Sequence, residues 1–241
     1  MSDEAIGSGD PARGGRARTA ALAIGVPSLL SVLLMAHHPS LHTSGMGEAV
    51  SALSRMATVN AFVHGGLILM LGTILFGFVE FSGLLGWGCP AVRGGMVAYG
   101  AGALFEAGAA IVNGFVVTRL AAGYAGQPAE ALETLRPILR LCFEANQALA
   151  QVGVSATSLG IVAWSLALLR RAGAARAIGS LGLAVGVLPV AGLSSSLLSL
   201  NVGGMLAVVV AQTVWNLAVA AWLLGGGASG TGGGAARPAG A

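Results

Sequence analysis

The chain has 241 residues, of which only 9% are charged and 55% hydrophobic, with a mean hydropathy of +0.83 and a net charge of +3. A water-soluble domain needs about a quarter of its residues charged to cover its surface, so this composition excludes one. The small, dispersed positive charge likewise gives no basis for a nucleic-acid partner.

The first 18 residues are polar and carry Arg13, Arg16 and Arg18. They read as an N-terminal cytoplasmic segment. The apolar run at 19–36 exceeds the hydrophobic part of a usual signal peptide, and "MAHHP" offers no small-x-small cleavage site, so the run reads as a retained first span. After it, "HHPSLHTSGMGE" supplies Pro, Gly and charge as a break. Further apolar stretches follow at 57–85, 94–118, 138–169, 177–199 and 203–224, each near the length that crosses a bilayer. Between them lie a tight Gly/Pro turn, "GWGCPAVRGG", a mixed turn and amphipathic stretch, "AAGYAGQPAEALETLRP", a basic break, "RRAGAAR", and a very short one, "SLNVGG". Residues 225–241 are rich in Gly and Ala and read as a disordered tail. The expected fold is therefore all-α, an integral membrane bundle of six transmembrane helices over 19–224.

Arginine placement sets the expected orientation, because cytoplasmic loops carry an excess of positive charge. All twelve basic residues are arginine. With both termini cytoplasmic, Arg13, Arg16, Arg18, Arg93, Arg170, Arg171, Arg176 and Arg237 lie inside, and only Arg55, Arg119, Arg136 and Arg140 lie outside. The layout suits a bacterial inner membrane. Cys89 and Cys142 then fall at opposite faces, about 30 Å apart and out of disulfide reach.

Polar residues inside the spans carry the functional signal, because ionisable groups in hydrocarbon are costly and usually face the bundle interior. Glu80 lies near a helix end, where it can reach water. Glu106 is about 18 Å into its span at 1.5 Å of rise per residue, and Asn113 follows on the same face. Glu144 sits about 9 Å into the next span, with Gln147 and Gln151 three and seven residues on. Asn60 with His64, and Gln212 with Asn216, are i, i+4 pairs. Three of the four histidines, His37, His38 and His42, stand where the first span ends. These residues predict one outward-facing polar pocket with the histidines at its mouth. Asn and Gln pairs can also simply join helices, through bonds of about 1 kcal/mol.

A small ligand is the expected occupant, and a transition metal is the first candidate. His37, His38, His64 and Glu144 offer the imidazole and carboxylate groups that zinc, copper or iron take, with His42 and Glu48 as outer ligands. A single haem is the other cofactor the histidines allow. The alternatives are an integral-membrane enzyme using Glu106, Glu144 and His64 for acid–base work on a lipidic substrate, or a proton-coupled transporter. Asn60, Asn113, Gln147, Gln212 and Asn216 are the expected ligand contacts. No H-E-x-x-H, G-x-S-x-G, S-x-x-K or inverted repeat singles out one chemistry. The expected partners are the lipid bilayer and the small-molecule or metal ligand, with a homo-oligomer left open.

Overall fold

The fold is taken from a computed structural model that describes residues 11–38 and 45–227. Among these residues there are seven helices: α1 (Pro11–Ala36), α2 (Met46–Arg55), α3 (Ala57–Leu85), α4 (Pro90–Tyr124), α5 (Ala129–Leu169), α6 (Ala174–Ser194) and α7 (Val202–Leu224). All but α2 are long and apolar enough to cross a membrane, and the chain is a multi-pass membrane protein. Its outer surface fits that reading. Phe62, Leu69 and Leu104 are 73%, 65% and 75% exposed, which water would penalise and lipid tails would not.

The helices outrun the apolar stretches that mark them in the sequence. α1 begins at Pro11, so the polar residues 11–18 are its first turns, whereas residues 1–10 and most of the Gly/Ala tail lie outside the described residues. α5 begins at Ala129 instead of 138 and runs through Pro137, although proline supplies no helical N–H there. α6 stops at Ser194, earlier than the expected 199. Ser196 adopts a left-handed backbone with φ of 58°, and the Leu198 N–H turns back to the Gly192 carbonyl at 3.0 Å. Asn201 then starts α7, its side chain accepting from the Gly204 N–H at 2.9 Å. The short helix α2 has no counterpart in the expected spans. It is amphipathic, and its Val50 is buried with Ala121 of α4 and Leu135 of α5.

The six long helices form a closed ring in chain order. Each packs on the next, α1 on α3, α3 on α4, α4 on α5, α5 on α6 and α6 on α7, and α7 returns to α1. The tightest joint is α4 on α5. A Cβ on Gly102 would meet the Gly153 carbonyl at 2.8 Å, and one on Gly160 would meet the Gly95 carbonyl at 2.9 Å. Glycines seven apart on both helices therefore let the two backbones touch, as small residues do where lipid gives helices no hydrophobic drive to associate. Gly182 and Gly186 bring α6 onto α5 in the same way.

A ring of six helices leaves a centre too wide for backbones alone to fill. One half is closed by aromatic side chains. Phe78 stacks on Trp164 with ring centroids 4.5 Å apart, Trp164 on Trp215 at 6.4 Å, and Tyr99 meets Phe78 edge-on at 4.7 Å. The indole N–H groups are satisfied, Trp164 donating to Ser82 Oγ at 3.0 Å and Trp215 to the Ile178 carbonyl at 3.2 Å. The other half of the ring is open.

Candidate functional site

That open half is a cavity of about 390 Å³, lined from five of the six long helices, with only α6 absent from its wall. Tyr99 of the aromatic cluster forms part of its lining, and His38, Phe143 and Asn201, near helix ends, line it as well. Much of the lining is aliphatic, including Met35, Leu67, Ile68, Leu71 and Ile74. Three polar arrangements are set into this wall.

The first joins α1, α3 and α4 around His64, which is buried. Its Nδ1 lies 2.9 Å from the Asn60 carbonyl. A carbonyl can only accept, so Nδ1 carries the proton and Nε2 presents a lone pair. Asn113 donates to that Nε2 through its amide at 3.2 Å. The Nε2 of His38 lies 3.3 Å away, with the two rings nearly perpendicular at 73°. Asn60 also donates to the Asn113 carbonyl at 3.2 Å, so α3 and α4 are clamped twice. The local backbone makes this possible. Residues Val112–Val116 of α4 form a single π-helical turn, a feature frequent at functional sites. Within it, Gly114 lies directly against His64, where any side chain would collide with the imidazole.

The second arrangement joins α4, α5 and α7 around Glu106. The Thr157 hydroxyl lies 3.0 Å from Glu106 Oε1, and Gln212 donates to Thr157 Oγ1 at 3.3 Å. Thr157 is also 3.1 Å from the Gly153 carbonyl. Its one proton can go to either acceptor, so this contact responds to whether Glu106 carries a proton of its own. Among the described residues Glu106 is the only carboxylate lining the cavity, and no arginine lines it. The glycine seam sets the position. A Cβ on Gly153 would strike Glu106 Cγ at 2.6 Å and its backbone N at 2.9 Å.

The third joins α1 and α7. Asn216 donates to Ser28 Oγ at 2.8 Å, and the Thr213 hydroxyl donates to the Ser28 carbonyl at 3.3 Å. Asn216 is only 3% exposed, yet its Oδ1 has no hydrogen-bond partner. A buried acceptor of this kind costs about 1–3 kcal/mol when nothing satisfies it.

Most of the expected residues therefore meet. His38, His64, Glu106, Asn113, Gln147, Gln212 and Asn216 all line the one cavity, and Asn60 stands behind it as the brace of His64 and Asn113. His37 and Glu144 do not join them. His37 is exposed, its Nδ1 2.8 Å from the Leu33 carbonyl. Glu144 is exposed and off the cavity, because the face of α5 that lines it runs through Phe143, Asn146, Gln147 and Ala150. The four-residue metal set is thus not assembled, and among the described residues no three His, Cys, Asp or Glu side chains converge as metal ligands. His42 lies outside the described residues. Nor do His38 and His64 fit a haem between them, since two nitrogens in direct contact leave no room for a porphyrin plane. Ser28, Ser31, Tyr99, Asn146, Thr157 and Asn201 belong to the site without having been singled out. Comparison with protein-family models, curated proteins and solved structures finds no match for this chain.

Proposed function

We propose that this membrane protein binds a small, mainly apolar organic molecule with one hydrogen-bond-donating or cationic head, held in the central cavity. The observation that carries this reading is the convergence of polar groups from five spans on one cavity. Ligand pockets of about 300–1,000 Å³, with apolar walls and a few placed polar groups, are the usual form of small-molecule sites. The polar atoms ask for donors. Glu106 is the cavity's one carboxylate among the described residues, and Asn216 Oδ1 is unsatisfied. The apolar wall suits a hydrocarbon body.

The alternatives fit less well. Among the described residues, a transition metal would have two imidazoles but no third ionisable ligand beside them. An acid–base enzyme would need a carboxyl and an imidazole on one reacting atom, and Glu106 and His64 are tied to separate partners. Proton-coupled transport shares the cavity and would add flux to binding.

Native mass spectrometry of the full chain in detergent tests the proposal. A bound organic molecule is expected in the wild type and in Glu144→Gln, with occupancy reduced about tenfold or more in Glu106→Gln, the scale of losing a charge-assisted bond. Equal occupancy in Glu106→Gln would remove the carboxylate from the site. A stoichiometric metal lost in both His38→Ala and His64→Ala would replace this reading with the metal one.

A further inference from the structure

The opposite end of the bundle carries a second recess, separate from the central cavity. It has a volume of about 490 Å³ and lies where the first turns of α1 meet the end of α3 and the residues after α5. Ala12, Arg13, Arg16, Gly83, Leu84, Leu85, Gly86 and Arg171 line it. Three guanidinium groups therefore share one hollow, and among the described residues no acidic side chain lines it. Arg16 is paired with Glu80, whose Oε2 lies 3.8 Å from Arg16 Nε.

Arg171 is fixed and only partly satisfied. Its Nη2 donates to the Leu85 carbonyl at 3.2 Å, which caps the C-terminal end of α3. Its guanidinium carbon stands 5.8 Å from the centroid of the Trp222 ring on α7. Its Nη1 is buried without a hydrogen-bond partner. Burial lowers the guanidinium from its ordinary pKa, and the like charge of Arg13 adds to the effect. A donor held in place, desolvated and unpaired beside two further arginines is a position that an anion relieves. The positive end of the α1 dipole also lies here, which favours negative charge. The recess opens at the end of apolar helices.

We infer that this recess is a binding site for a phosphate group, gripped by Arg171 with Arg13 and Arg16. The same chemistry is offered by an anionic lipid headgroup and by a soluble phosphate compound. Basic pockets between transmembrane helices are known forms of headgroup site. Trp222 and the leucines at the ends of α3 supply an apolar border for acyl chains, so the lipid is the occupant that the surroundings favour.

The test uses the full chain in detergent, with phosphatidic acid, phosphatidylcholine and inorganic phosphate as probes and thermal melting and native mass spectrometry as readouts. Phosphatidic acid is expected to raise the melting temperature and remain bound, and phosphatidylcholine is not. Arg16→Gln, at an exposed position that leaves folding intact, should weaken phosphatidic acid by about fivefold, and Arg171→Gln by more. Arg55→Gln, at the other end, should change nothing. Stabilisation should fall as salt rises. Binding of inorganic phosphate with the same arginine dependence, but none of phosphatidic acid, would keep the anion site and make its source soluble. Equal binding of phosphatidic acid and phosphatidylcholine with no effect of phosphate, or anion binding unaltered in both Arg16→Gln and Arg171→Gln, would overturn the inference.

Discussion

On the proposed reading, Asn216 serves packing and binding at once. Its amide N–H ties α7 to Ser28 of α1, and its oxygen is left without a partner. Replacing it with Leu, of similar shape, separates the two roles. Ser28 Oγ keeps its own bond to the Ile24 carbonyl at 2.7 Å, so losing the Asn216 donor leaves it satisfied. The variant also removes the unpaired oxygen, and deleting a buried group of that kind is nearly neutral or stabilising. Asn216→Leu should therefore melt at or above the wild-type temperature in the absence of ligand. Binding of the co-purifying molecule should weaken by about fivefold, the worth of one ordinary hydrogen bond. A melting temperature several degrees lower, with binding unchanged, would make Asn216 a purely structural residue. His64 differs, because its bonds to Asn60 and Asn113 brace α3 against α4 as well as shaping the cavity.

At the scale of elements, the spans are legible and their registers are only partly so. Uninterrupted apolar stretches identify six crossings because bilayer thickness imposes a length, and polar side chains within them must turn inward because lipid offers them no partner. That reasoning finds His64, Glu106, Asn113, Gln212 and Asn216. It fails at Glu144, which the spacing groups on one face with Gln147 and Gln151. The lining face of α5 is offset by one residue, at Phe143, Gln147 and Ala150, and both Glu144 and Gln151 are exposed. A step of one residue turns the helix by about 100°, so a shared face cannot be assigned from two residues whose spacing tolerates either side. The π turn at Val112–Val116 has no signature that spacing could reveal. The glycine seam does, since Gly95, Gly102, Gly153 and Gly160 recur at seven-residue intervals. Its strength is testable. Gly153→Ala forces a methyl into the backbone of α4 and against Glu106 and should cost about 1–3 kcal/mol. Gly72→Ala, on an open face of α3 with nothing within 4 Å, should be neutral or stabilising. Equal melting temperatures for the two variants would show that α4 and α5 can part without loss.

For the whole molecule, the ring explains why a chain this apolar holds two polar sites. Six helices joined in chain order run alternately up and down, so the ends of α1, α3, α5 and α7 fall into two sets. One set brings Arg13, Arg16 and Arg171 together, and the other brings His38 and Asn201 to the central cavity. Among the described residues seven arginines lie toward one end and four toward the other, an asymmetry from which the positive-inside rule predicts an orientation. If the rule holds, the arginine recess is cytoplasmic and the cavity opens outward. Single cysteines in a background lacking Cys89 and Cys142 can decide this. Gln127→Cys lies in the exposed turn between α4 and α5, and Gly88→Cys in the exposed turn between α3 and α4. In intact cells an impermeant maleimide should label Gln127→Cys and spare Gly88→Cys until the membrane is opened. The reverse pattern would invert the bundle. It would place the arginine recess outside, against the charge rule, and turn the cavity toward the cytoplasm, so that its ligand would have to come from within the cell. Both sites would persist in either orientation, because the ring and its packing are independent of the face to which they are presented.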